Sequence, residues 1–440
     1  MRYICESCIV NVILKQHLLD NTVSNDCTYC EVKSTRVINS AELVAFAGNR
    51  LEKSLYSIED ATSFEAGMFW EGSDAISFNE VAYIIQDLEI GPEEFVDELA
   101  DYVLSISSSE ANLFVLNDGD HDNNSYQSKW SSFISSIAHQ HRFFNKEAKV
   151  FLDSLFDLII DKSKVRNEVV TTIDRSTKLF RARVANNEST RKKIISDPSA
   201  ELGPVPRHLA GEQRMTPTGI SALYCSLDRR TCFSEIRAVT GDMIFSGSFK
   251  PIDELALLDL SKIHKLSQLE IDPFDLHYTD TSNKSVFIKD LMFLMSRPAS
   301  KSSTPDYLST QIIFEYLSVK FSDSLSGLMF DSVQTNGKGK NVVFFPLYSK
   351  VKQSLLNKEN VESISEYRYD LIESDKYTYD IKKIEDDFNV NVINDVKLEF
   401  IEGSLLASSV KAVVTETQEF DISINFEKNN KEEHSDLINN

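Results

Sequence analysis

The chain has 440 residues and is poor in glycine, with 14, and in tryptophan, with 2. It contains no G-x-G-x-x-G and no G-x-x-x-x-G-K-[ST], so neither a dinucleotide-binding turn nor a P-loop is expected. Gly337-Lys338-Gly339-Lys340 has the residues of a phosphate loop without either spacing. H-E-x-x-H and G-x-S-x-G are missing as well. Apolar runs such as Val150–Leu152 and Leu158–Ile160 fall far short of the roughly 18 residues a membrane-spanning helix needs. The first residues are interrupted by Glu6, Asn11 and Lys15 and make a poor signal peptide. No basic run exceeds Arg191-Lys192-Lys193, and 46 Lys+Arg against 68 Asp+Glu give a formal charge of −22. So acidic a surface repels a phosphate backbone, which disfavours broad nucleic-acid binding. These absences predict a soluble cytoplasmic protein with no membrane partner.

What is present is an ordinary globular mix, 42% apolar and 26% charged. The length suits roughly two to four domains. Residues 1–35 hold four of the six cysteines. Residues 36–165 read as helical. There Ser77-x-x-Glu80 has the form of a capping box ahead of Val81, Ile84, Ile85 and Leu88. Gly91-Pro92 breaks that helix, and Phe95, Val96, Leu99 and Val103 restart the pattern. A polar loop, Asn117–Ser128, precedes Trp130, Phe133, Ile134 and Ile137, and a last helix carries Ala148, Phe151, Leu152, Leu155, Phe156 and Ile159. A four- or five-helix bundle is the plain expectation.

From about residue 170 to 350 short strands such as Lys178–Val184 and Ser221–Ser226 alternate with turns, and Asp306–Val319 reads as a helix. Eight of the fourteen glycines fall between Gly203 and Gly339. This is an α+β segment. Residues 351–440 are acidic, with ten Lys/Arg against twenty Asp/Glu. Val396–Ile401, Val410–Thr415 and Phe420–Phe426 alternate like antiparallel strands, so 351–426 reads as a β-rich extension and 427–440 as a disordered tail.

Cys5-x-x-Cys8 and Cys27-x-x-Cys30 are separated by 18 residues, a spacing that suits a tetrahedral zinc ion held by Cys5, Cys8, Cys27 and Cys30. Four thiolates leave no open position for water, so such a site is structural. Two disulfides or reduced thiols are the alternative, and a redox pair lacks its surrounding βαβ pattern. Cys225 and Cys232 read as buried small apolar residues, and His17 as a helix-surface residue.

The blocks LFRARV (179–184), GPVPRHLAGEQRMTPTGISALYCSLDRRTCFSEIRA (203–238), TPDYLSTQIIFEYL (304–317) and FDSVQTNGKGKNVVFFP (330–346) carry the remaining chemistry. Arg181 and Arg183 share one face of an apolar strand, where an unpaired guanidinium is costly. Arg214 sits in a polar turn, Tyr224 in a strand, Glu235 in a helix-like segment and Ser332 just after a strand. An Arg181–Glu235 ion pair, a core Tyr224 and a turn Ser332 are the ordinary readings. Taken together the residues outline a cationic pocket with one carboxylate, suited to a phosphate-bearing ligand.

The ordered blocks L-F-R-A-R, R-M-T-P-T-G-I-S-A-L-Y, S-E-I-R and D-S followed by N-V-V-F-F resemble the RES domain, over residues 172–348. The cysteine pairs, Trp130 and Arg142-Phe143-Phe144 resemble the HEPN-like domain found ahead of RES domains. Residues 36–165 lack the R-x4–6-H of HEPN nucleases, since His139 and His141 precede Arg142. The resemblance implies an ADP-ribosyltransferase-like core in a toxin that consumes NAD+. It makes Arg181 (or Arg183), Glu235 and Ser332 the catalytic residues and Arg214 and Tyr224 the NAD+-binding ones. It also implies a separately encoded helix-turn-helix antitoxin as partner. Hydrolysis or phosphorolysis of the nicotinamide–ribose bond is expected. The alternatives are ADP-ribosylation of a protein, an inactive scaffold and an RNA-directed effector. Restraint of the arginine-lined pocket in cis, by the helical N-terminus or by the acidic C-terminal stretch folding over it, is a further expectation.

Overall fold

The computed structural model of the chain describes residues 1–70, 72, 77–119, 124–142, 144–263, 266, 271–296, 305–357, 361–370, 375–383 and 395–414. The architecture is α+β, as the sequence predicts. None of the described helices is long and apolar enough to cross a membrane. The expected strand Phe420–Phe426, the tail 427–440 and Phe143 lie outside the described residues.

The N-terminal part begins with a three-stranded sheet in the order Tyr3–Cys5, Thr35–Asn39, Val23–Asn25. Helices Val12–Asp20, Ser40–Leu51, Val81–Asp87 and Glu93–Ile106 pack beside it around Leu14, Leu43, Leu51, Ile85, Phe95 and Leu99. Pro92 caps Glu93–Ile106, so the Gly91-Pro92 break is as expected. The capping box is not formed. Asn79–Glu80 is drawn into pairing with Leu113–Leu116, and Val81–Asp87 starts with no side-chain cap.

The remaining helices of this half differ from a single bundle. Asn124–His139, which begins inside the expected polar loop, and Lys146–Leu155 contribute Phe133, Ile137, Leu152 and Leu155 to another core. That core also holds Phe287, Leu291, Ile313 and Phe314 of helices Tyr278–Ser296 and Pro305–Lys320. An amphipathic face shows that a helix must be covered, not by which element. In the opposite direction, Phe274 is fully buried in the N-terminal core, and Arg50 and Ser54 donate to the Phe274 and Pro273 carbonyls at 2.9 and 2.7 Å.

The C-terminal part is built on one ten-stranded sheet. Its order is Val351–Lys352, Leu398–Phe400, Met243–Pro251, Leu179–Val184, Tyr224–Ser226, Lys340–Phe344, Gly327–Asp331, Leu255–Asp259, Val170–Ile173, with Leu406–Ser409 also on Met243–Pro251. Pairing is antiparallel except between the Leu255 and Gly327 strands and the Val351 and Leu398 strands. Successive side chains alternate faces. Leu258, Leu328, Phe330 and Val343 therefore meet the helices just named, while Leu257, Met329, Val342 and Phe344 pack with Leu179, Phe249 and Leu398.

The acidic extension is part of this sheet. Leu398 and Phe400 are buried in it, and Gly247 has no side chain because a Cβ there would lie 2.6 Å from the Phe400 ring. A hairpin, Val361–Asp370 with Asp375–Lys383, packs against the same core through Ile364, Tyr379 and Ile381. The expected strand at 410–415 is displaced: Leu406–Ser409 forms the strand, and 410–414 is irregular.

Candidate active site

The sheet opens a cavity of 360 Å3 where four strands run side by side. Phe180, Ser226, Asn341 and Phe330 are direct register partners across those strands and make one row of its wall. Arg181, Arg214, Tyr224 and Glu235 line the same space, so four of the five predicted residues converge. The fifth, Ser332, is fully buried behind it and reaches the site through Glu235, donating from Oγ to Oε1 at 2.5 Å.

Arg181 leaves the Leu179 strand toward the cavity and donates to the Gly203 carbonyl at 2.6 Å. The anticipated Arg181–Glu235 ion pair is not formed among the described residues. Glu235 turns instead to the two donors Ser332 and Asn341, the latter at 2.7 Å. Arg183 is half-exposed and paired with Glu201 at 2.6 Å, outside the cavity lining. Of the two arginines on this strand, the one that reaches the cavity is therefore Arg181. Burial pulls its guanidinium below the ordinary value, with the Cys225 and Cys232 thiols acting against that. One backbone acceptor satisfies one of five guanidinium donors. The arrangement leaves Arg181 able to take an anionic ligand.

Arg214 is held from two sides. Helix Pro305–Lys320 grips its turn through Thr310, which donates to the Arg214 carbonyl at 2.5 Å, and Gln311, which donates to the Gln213 carbonyl at 2.9 Å. The Tyr224 hydroxyl accepts the Met215 N–H at 3.2 Å, so this tyrosine ties the arginine turn to the sheet. Burial lowers the Arg214 pKa, and attraction to Glu235 opposes the shift. Burial likewise raises the Tyr224 phenol.

Glu235 ends the helix Arg229–Glu235, whose start is fixed by Asp228 accepting from Thr231 N–H at 2.8 Å. A carboxylate at a helix C-terminus faces the negative end of the dipole. Ser332 and Asn341 compensate by donating to Oε1, and Oε2 has no hydrogen bond among the described residues. Gly339 lets the strand and helix touch, since a Cβ there would fall 1.9 Å from Thr231 Oγ1.

Cys225 and Cys232 are buried, as the sequence suggests, and burial pushes both thiols up to about 12. They serve as neutral wall. Asn341, Ser226, Thr310 and Gln311 escaped the sequence reading of the site. The available signal was polarity out of place: Asn341 directly precedes the apolar run VVFF, and Ser226 is its register partner.

The four N-terminal thiols converge separately. Cys5 lies 3.6 Å from Cys8 and 3.5 Å from Cys30, Cys8 lies 3.8 Å from Cys27, and all four sulfurs fall within 4.8 Å of one another. All are free, and these separations far exceed the about 2.05 Å of a disulfide. A tetrahedral ion with Zn–S of about 2.3 Å places its sulfurs about 3.8 Å apart, so the cluster fits such an ion. His17 is no part of it, and stacks on Phe46 at 3.6 Å. The cluster is tied to helix Glu93–Ile106, where Glu98 Oε2 accepts from Tyr29 and Ser40 at 2.7 and 2.6 Å.

Residues 179–365 match the family model of the RES domain, and residues 20–150 match that of HEPN/RES N-terminal domain 1. No curated protein and no solved structure matches the chain.

Proposed function

We propose, on the premise that this chain carries a RES domain behind a HEPN/RES N-terminal domain, that it cleaves the nicotinamide–ribose bond of NAD+. The observation that carries the reading is the convergence of Arg181, Arg214, Tyr224 and Glu235 on one cavity, with Ser332 fixing the carboxylate. The pyrophosphate is the anion that Arg181 and Arg214 bind. Tyr224 keeps the Arg214 turn in place and offers its ring to the nicotinamide ribose.

Nicotinamide in NAD+ is already a cationic leaving group. The C1′–N bond breaks with its electron pair going to the ring nitrogen, and neutral nicotinamide departs. Positive charge then develops on the ribose, where the Glu235 carboxylate stabilises it at a fixed position. Water or phosphate adds to C1′ and loses a proton. No general acid is required. Hydrolysis or phosphorolysis is favoured over transfer to a protein, and the consequence of NAD+ loss is a toxin or defence effector. A separate helix-turn-helix antitoxin is the partner this reading assigns.

We assign the ion at Cys5, Cys8, Cys27 and Cys30 as zinc. Its closed shell of four thiolates would staple the first 35 residues onto the helical domain, with no part in the reaction.

The test is NAD+ turnover by the purified chain beside Glu235→Ala, with products identified by mass spectrometry in buffers with and without phosphate. Loss of NAD+ with free nicotinamide, abolished in the variant, supports the reading and names the acceptor. A folded, metal-loaded protein that leaves NAD+ intact refutes it.

A further inference from the structure

We propose that Ser226 and Asn341 form a positioning pair that commits one oxygen of Glu235 to the scaffold and reserves the other for the substrate. The proposal rests on the reading of the cavity as the NAD+-cleaving site. Glu235 ends a short helix, and nothing in that helix fixes which carboxylate oxygen faces the cavity. Asn341 does so from the sheet. Its Nδ2 donates to Glu235 Oε1 at 2.7 Å, joining Ser332 on the same oxygen.

An asparagine amide can sit in two orientations that differ little in shape. Ser226 selects one. It lies directly opposite Asn341 on the neighbouring strand and donates from Oγ to Oδ1 at 2.8 Å. The reversed amide would set Oδ1 against a carboxylate oxygen, two acceptors in contact. With Oδ1 held by Ser226, Nδ2 must face Glu235. Both residues are buried, at 3% and 7% exposure, so the bond between them meets little competing water. Two donors on Oε1 fix the orientation of the carboxylate. Oε2 is left to meet the developing charge on the ribose.

Ser226 acts on the reaction through two intermediates, and this makes the pair testable. Asn341→Ala removes a charge-assisted bond and lowers kcat about 10- to 100-fold, with KM nearly unchanged. Ser226→Ala removes the bond that anchors Oδ1, loosens the Asn341 side chain and lowers kcat about 3- to 10-fold. Ser226→Thr keeps the hydroxyl and restores turnover. In the Asn341→Ala background, Ser226→Ala has no further effect, because the group it orients is gone.

Kinetics of these four variants beside wild type and Glu235→Gln decide the matter, with melting curves to show that each is folded. Should Asn341→Ala not fold, the Ser226→Ala and Ser226→Thr comparison carries the test alone. Full activity in Asn341→Ala or Ser226→Ala, or equal losses from Ser226→Ala with and without Asn341, overturns the proposal while wild type still turns over. No turnover in wild type overturns the reading of the site, and the pair with it.

Discussion

Cutting the chain after Lys350 removes elements of the sheet that carries the active site, and we expect it to unfold that part of the molecule instead of activating it. Leu398 and Phe400 are buried, and each such side chain contributes about 1.5–3 kcal/mol. The hairpin adds a bidentate ion pair, Arg191 to Glu366, with side-chain exposures of 10% and 7%. Removing one partner of a buried pair costs about 3–5 kcal/mol. Arg191 would keep the Asn186 carbonyl at 2.9 Å, so Glu366→Ala belongs at the low end, about 3 kcal/mol. Trp130 packs against the core shared with the sheet while Trp70 is exposed, so tryptophan fluorescence during urea unfolding reports the relevant transition. Both the truncation and Glu366→Ala should lower its midpoint. A truncated chain that stays folded and consumes NAD+ faster would refute this. It would restore the expectation that the acidic stretch restrains the site, which the described residues of 351–414 do not support, since none of them lines the cavity.

Other outcomes follow from the same geometry. Arg191 holds the Glu366 carboxyl below its ordinary value. The pair's stabilisation is therefore complete above the unfolded value of about 4.3 and is lost as pH falls through the folded one. Acid titration of wild type should show this loss, and Glu366→Gln should flatten it. Gly339→Ala drives Thr231 and the helix bearing Glu235 off the sheet, and we expect at least a tenfold drop in turnover with a modest loss of stability. Arg181→Lys should raise KM for NAD+ about tenfold or more, because one ammonium replaces a fork of donors, while Arg183→Lys leaves it unchanged. Chelation, or Cys8→Ser, should release one zinc per chain and destabilise the N-terminal domain, read by metal analysis and circular dichroism.

The family resemblance and the α+β architecture were legible in the sequence because they rest on ordered blocks of residues. The convergence of Arg181, Arg214, Tyr224 and Glu235 was expected from those blocks and is what the cavity shows. Their partners were not legible. Register sets Ser226 opposite Asn341, and register belongs to the sheet. The choice between Arg181 and Arg183 needed the position of Glu201, which captures the second. Helix Tyr278–Ser296 escaped notice because its buried Ser282, Asn283, Lys284 and Ser285 interrupt the apolar pattern; Lys284 is sheltered by Asp157 at 3.1 Å. The extension's insertion into the sheet was hidden by its acidic composition, which speaks of its surface and not of Leu398 and Phe400.

The most direct measurement is the time course of free nicotinamide from NAD+ with wild type and Glu235→Gln, both shown folded by their melting curves. Glutamine keeps the size of the side chain and can still accept from Ser332 and Asn341, so it removes the charge alone. The account predicts steady release by wild type and a fall of about 100-fold or more in the variant. Equal release by the two proteins would contradict it.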